Sequence, residues 1–160
     1  FMMDHADLSQ HNEWVLWSQA VSDKVLENRI IWCKIKRPER AIDKCLKRYD
    51  REICRLVDIC RESVYFQKVE DMALCVKAMS EDTDIVVDRV KNRMAFDEDA
   101  TLTCGFRNVT VNLRIRTFEA EQRGVESHVC EVRLILVDFA ELITSERHSR
   151  YVEYRDKMGA

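Results

Sequence analysis

The 160-residue chain, 46% hydrophobic and 34% charged, is long enough for one domain with a real core and too short to expect two. A net charge of −3 excludes any case for a nucleic-acid or membrane partner built on overall charge, so such a case must rest on local patches. No window approaches the ~18 apolar residues of a membrane span. The opening Phe1-Met2-Met3 carries no signal-peptide pattern and is the start expected of a fragment.

In chain order, Trp14, Trp17, Val21 and Val25 recur at helical spacing and predict a helix over 11–31. The run 30–36 reads as a short strand. Pro38 suits the first turn of a helix reaching about Tyr49, with Ile42, Cys45, Leu46 and Tyr49 as its core face. Arg37, Arg40, Lys44 and Lys47 fall opposite, on what is either a solvated face or, with Lys34 and Lys36, a polyphosphate patch. Glu62 to Phe66 predicts a strand. Val69, Met72, Ala73, Val76 and Met79 then mark an amphipathic helix, and Asp84 to Val90 a β-branched strand.

Val109, Val111, Leu113 and Ile115 alternate with Thr110, Asn112, Arg114 and Arg116, which predicts a strand over 106–116. A polar connector, 119–127, leads to a strand over 128–136 and a final helix over 137–155. The expected fold is α+β: a mixed sheet of about five strands flanked by helices, in one domain spanning 1–160. Period-two alternation puts Phe106, Asn108, Thr110, Asn112, Glu131 and Arg133 on a face turned from the core, either wetted or used.

Seven cysteines include no C-x-x-C pair. They read as buried free thiols in a reducing, intracellular compartment, most simply the cytoplasm. Three glycines leave no P-loop and no G-x-G-x-x-G, the four histidines form no H-E-x-x-H, and no serine sits in a nucleophile elbow. Two isolated carboxylates stand out instead: Asp58 between Val57 and Ile59, and Glu131 inside the apolar run 128–136. A buried carboxylate needs a partner, a proton or a metal.

Five pieces occur in a telling order: Lys36-Arg-Pro-Glu-Arg-Ala-Ile-Asp-Lys44, Arg55-Leu-Val-Asp-Ile-Cys-Arg-Glu-Ser-Val-Tyr-Phe66, Arg89-Val-Lys-Asn-Arg93, Gly105-Phe-Arg-Asn-Val109 and Cys130-Glu-Val-Arg-Leu134. With the trailing His148-x-x-Tyr-x-x-Tyr-Arg155, this series resembles the RelA/SpoT nucleotidyltransferase domain over 34–155. Members of that family transfer pyrophosphate from ATP to the 3′ hydroxyl of GDP or GTP, and some toxin relatives modify the 3′ end of tRNA instead. The resemblance implies a nucleotidyltransferase-like mixed sheet and purine-nucleotide partners.

It further implies Mg²⁺ held by Asp58 and Glu131, with Glu131 at the catalytic glutamate. Lys36 and Lys44 match phosphate-binding basic residues, Lys34 an arginine near adenine, and Phe106 a tyrosine that stacks on guanine. Lys91 lies in a matched piece. Arg40 stands where the family has serine, Ser63 where it has arginine, Thr110 where it has histidine, and Arg133 and Ile135 where it has glutamine and arginine. Arg61, Arg107 and Arg133 are candidates to restore the missing positive charge. The other reading is an inactive module that binds RNA or protein through the basic helix, or a structural subunit of an assembly.

Overall fold

The computed structural model describes residues 14–30, 32–103 and 105–142, together with Ser149 and Glu153. Four strands, β1 (Arg61–Phe66), β2 (Ile85–Asn92), β3 (Val109–Ile115) and β4 (Cys130–Leu136), form one sheet in the order β1-β4-β3-β2. β1 runs parallel to β4, and β3 is antiparallel to β4 and to β2. Six helices accompany it: α1 (Trp17–Ser22), α2 (Lys24–Glu27), α3 (Pro38–Arg48), α4 (Val69–Glu81), α5 (Phe118–Gln122) and α6 (Val137–Glu141). The α+β class and mixed sheet agree with the sequence reading, but the described residues hold four strands rather than about five.

The missing strand is the run 30–36. Residues 32–37 are extended without joining the sheet; Lys36 N–H donates to the Ile59 carbonyl at 2.9 Å and Cys33 N–H to the Glu62 carboxylate at 3.2 Å. The expected N-terminal helix is broken at Asp23, whose carboxylate caps α2 by accepting from Val25 N–H at 2.8 Å. Trp17, Val21 and Val25 are exposed and Ala20 is the buried residue of α1, so the expected stripe is not a core stripe. Residues 11–13 and 31 of that helix lie outside the described residues, as does most of the final helix beyond Leu142. The connector 119–127 contains α5, capped by Thr117 Oγ1 accepting from Ala120 N–H, and turns at Gly124 with φ +65°.

The core lies on one face of the sheet. Val109, Val111 and Leu113 of β3 and Leu134 of β4 pack with Met72, and Val64, Phe66, Val87, Cys75, Val76 and Met79 close around them. α4 supplies Met72, Cys75, Val76 and Met79 at helical spacing, while Val69 and Ala73 of the expected stripe face outward.

α3 departs most from its pattern. Pro38 occupies its first turn as expected, but Ile42 and Leu46 are 59% and 56% exposed, and the inward residues are Ala41, Lys44 and Cys45. The helix is rotated relative to its apolar stripe because Lys44 is drawn inward by a carboxylate. Asp50 and Arg51, both at positive φ, then turn the chain away from the helix end.

Leu134 is fully buried at the centre of this core. Leu134→Ala is expected to cost about 2–5 kcal/mol of folding stability, whereas Leu46→Ala on the exposed side of α3 should stay within about 0.5 kcal/mol. Urea denaturation of both variants checks the pair.

Candidate functional site

Asp58 ends the segment leading into β1, and its carboxylate is almost completely buried. Two cations converge on its Oδ2: Lys36 Nζ forms a very short ion pair, and Lys44 Nζ donates at 2.8 Å. Lys36 arrives on the segment before α3 and Lys44 from just past the middle of α3 itself. Lys44 Nζ also lies 5.4 Å from the centre of the Tyr49 ring. The other oxygen, Asp58 Oδ1, is buried without a protein partner.

Burial by itself would push the Asp58 carboxyl up, but the hydrogen bonds from Lys36 and then Lys44 hold it below the usual carboxylate range. For Lys36, burial outweighs the attraction of Asp58, so the ammonium titrates below an ordinary lysine. The two directions describe one desolvated cluster in which a single carboxylate serves two cations. The carboxylate is therefore the firmly charged member.

From this cluster the sheet carries a polar face opposite the core. Strand register sets its rows. Arg61 of β1, Glu131 of β4, Asn112 of β3 and Arg89 of β2 are lateral neighbours, and so are Ser63, Arg133, Thr110 and Lys91 in the next row. The centre of the face is dry, while Arg89 at the β2 edge is exposed. Asn108, Thr110 and Asn112 are buried, Asn108 to 1% exposure, and Trp14 packs on Tyr65 at the β1 edge with ring centres 4.9 Å apart.

Arg133 reaches along its row and donates from Nη2 to Ser63 Oγ at 2.7 Å, and Asn108 Nδ2 donates to Thr110 Oγ1 at 3.1 Å. Arg133 Nε, Asn108 Oδ1 and Asn112 Nδ2 are buried with no protein partner. Burial, followed by the nearby Arg61 cation, pushes the Arg133 guanidinium below its ordinary value, and Glu131 pulls the other way. Arg61 also bears electrostatically on Lys36, so it stands between the Asp58 cluster and the Glu131 row. The half-buried Glu131 carboxylate has no hydrogen bond or ion pair among the described residues; its backbone N–H donates to the Cys60 carbonyl at 2.9 Å.

The other expected site residues are more scattered. Lys34 and Arg40 are exposed, as are Arg37 and Lys47, and Lys47 pairs with Asp43 on the α3 surface. Lys91 lies 3.5 Å from the Glu98 carboxylate. Arg107 holds the 93–98 loop, donating from Nη1 to the carbonyls of Arg93 and Ala95 and from Nη2 to that of Glu98. Phe106 is half-buried just before β3, in a turn closed by Thr103 and permitted by Gly105 at φ +83°.

Sequence reasoning missed Ser63 as the anchor of Arg133, and missed Arg89 and Tyr65 on the same face. Ser63 is set against Arg133 by a parallel pairing of segments 70 residues apart, which no local pattern encodes. Period-two alternation along β1 does place Arg61, Ser63 and Tyr65 together, and that signal was available.

The Asp58 ion cluster has a pH signature. Its folded-state pKa is depressed, so its contribution is present above the unfolded value of about 3.9 and is lost as pH falls through the lower folded value. Asp58→Asn leaves two desolvated lysines facing each other and should cost about 3 kcal/mol near neutrality. The gap to the wild type should close as pH falls below about 3.9. Urea titrations of both proteins across the acid range check this.

No family model matches the chain, and none of the curated proteins matches it. Solved structures do. The small alarmone synthetase 1 from Bacillus subtilis bound to its product pppGpp superposes with a TM-score of 0.57 at 17% identity, over 76% of this chain and 60% of that one. A GTP pyrophosphokinase family protein from Streptococcus pneumoniae gives 0.62 at 15% identity, over 79% of this chain and 61% of its own. The B. subtilis small alarmone synthetase 1 in a second structure gives 0.59 at 15% identity, over 89% and 76%. The chain thus spans about three fifths of the length of the first two. The chain shares the fold of these small alarmone synthetase and GTP pyrophosphokinase family structures.

Proposed function

We propose that this chain is a purine-nucleotide-binding pyrophosphotransferase domain, with ATP as donor and a guanine nucleotide, or failing that a tRNA 3′ end, as acceptor. The observation that carries the reading is the pairing of Ser63 with Arg133. The family pattern has arginine at position 63 and glutamine at 133, and this chain has serine and arginine. The two positions are register partners, and the Arg133 guanidinium reaches Ser63 Oγ. The cation has changed strands while staying in the same row of the polar face. A half-buried guanidinium with an orphan Nε and no carboxylate within ion-pair distance among the described residues is costly unless an anion meets it. A substrate phosphate is such an anion.

The acidic residues suit a magnesium ion. Asp58 offers the buried, unpartnered Oδ1, and Glu131 a carboxylate free of ion pairs. No group of three metal-ligating side chains occurs among the described residues, yet Mg²⁺ commonly takes only one or two protein carboxylates with phosphate and water. Asp58 and Glu131 would hold it, and it would offset charge on the phosphate oxygens.

In the transfer, the acceptor hydroxyl oxygen bonds to the β-phosphorus of ATP, the α–β bridge breaks, and AMP leaves. Lys36, Lys44, Arg61 and Arg133 surround the position where that charge moves, and positioned cations are what such transfers chiefly require. Glu131 is the carboxylate available to take the hydroxyl proton. Phe106, half-buried beside the polar face, is the candidate base-stacking ring. Among the described cysteines none is in a disulfide, which supports a reducing intracellular setting; only Cys45 is buried as the sequence suggested, Cys33, Cys75 and Cys130 are half-buried, Cys54 and Cys60 are exposed, and Cys104 lies outside the described residues. No helix among the described residues is long and apolar enough to cross a membrane.

Calorimetry with a non-hydrolysable ATP analogue, with and without Mg²⁺, tests the reading. Glu131→Gln should remove the Mg²⁺-dependent part of binding at an unchanged melting temperature. Arg133→Gln should weaken binding roughly tenfold or more, and adding Ser63→Arg should recover most of it. The reading fails if ATP is ignored while RNA binds with a salt dependence shared equally by Arg37, Arg40, Lys44 and Lys47, the pattern of an inactive basic module.

A further inference from the structure

The entrances of β1 and β4 bring two thiols together. Register pairs Arg61 with Glu131, and the ladder bond from Glu131 N–H to the Cys60 carbonyl, 2.9 Å, extends the pairing one residue back. Cys60 and Cys130, each one residue before that register pair, are therefore brought side by side at the strand entrances. Adjacent strands lie about 4.8 Å apart, inside the window of about 4.4–6.8 Å between Cα atoms that a disulfide accepts. Cys60 is exposed in the bend before β1; Cys130 is half-buried at the edge of the core. Asp58 lies two residues before Cys60, and Glu131 directly follows Cys130.

We propose that Cys60 and Cys130 form a reversible disulfide that ties the Asp58-bearing segment to the start of β4. Exposed Cys60 is the entry point. Its sulfur attacks a low-molecular-weight disulfide, RS–SR, forming a mixed disulfide and releasing one RS⁻. The Cys130 sulfur then displaces the second RS⁻ from Cys60, closing the intramolecular bond. Two electrons pass from the cysteine pair to the small disulfide, and the two cysteine protons end on the two released thiols.

Closure has a mechanical consequence. A disulfide replaces two independent thiols by one covalent link of fixed geometry, so the less anchored side adjusts to it. Cys130 is fixed in β4 by the β3 ladder, where it pairs with Leu113, whereas Cys60 lies outside the strand. The segment holding Asp58 is the side that gives, and it carries the acceptor of both Lys36 and Lys44. A bond with one exposed sulfur, that of Cys60, is also open to reduction by small thiols. The effect on nucleotide binding rests on the function proposed above; the cross-link does not.

Incubating the whole chain with oxidised glutathione and mapping peptides by mass spectrometry tests the bond. A Cys60–Cys130 link reversed by dithiothreitol is expected, with exposed Cys54 carrying at most glutathione. Cys130→Ser should trap glutathione on Cys60, and Cys60→Ser, a surface change, should leave Cys130 unlinked. Glutathione remaining on Cys60 of the wild type while Cys130 stays a free thiol overturns the proposal, as does a link from Cys60 to Cys54. Hydrogen exchange over 56–61 should differ between oxidised and reduced protein, and identical exchange would overturn the mechanical part. Where the reduced protein binds the ATP analogue, oxidation should weaken it roughly tenfold, and equal affinity would overturn the regulatory part.

Discussion

One buried carboxylate organises this molecule. Asp58 is only 6% exposed, and a lone ionised carboxylate in that position is costly. Lys36 and Lys44 satisfy it, and in doing so they dock the extended 32–37 segment and α3 against the entrance of β1. The rotation of α3 follows from this. A helix docked by apolar burial alone would turn Ile42 and Leu46 inward, but here the ion cluster outweighs the stripe and leaves both in solvent. Taking Lys44 inward requires that trade, because Ile42 and Leu46 lie on other sides of the same helix.

The sheet divides its labour by face. On the core face, residues of all four strands close on α4 in ordinary apolar packing. The opposite face buries amides, hydroxyls and a guanidinium, several with orphan atoms. Burying polar groups with unmet hydrogen-bonding capacity opposes folding, so the core face must supply the surplus that maintains the polar one. Proteins retain such arrangements chiefly where something is bound.

The polar face also shows how register decides where a charge sits. A cation can be delivered to a given point from any strand whose register brings a side chain there. Ser63 and Arg133 are register partners, so the Arg133 guanidinium, rooted on β4, reaches across one strand spacing to β1 within the same row. Arg107 shows the opposite fate: its guanidinium holds the carbonyls of the 93–98 loop and is absorbed into architecture.

The sequence by itself determined β1, β3, β4, α3 and α4, because each is written in a local period or a turn residue such as Pro38. It also marked Asp58 and Glu131 as out of place, since an ionised residue in an apolar run is visible without any fold. The tertiary structure alone decided what those carboxylates meet. Lys36 and Lys44 reach Asp58 across 22 and 14 residues, and Arg133 reaches Ser63 across 70. These pairings depend on the parallel register of β1 with β4 and on the rotation of α3. Neither is a local property, since an isolated strand pairs in several registers and the apolar stripe of α3 names an inward side that only the assembled ion cluster overrides.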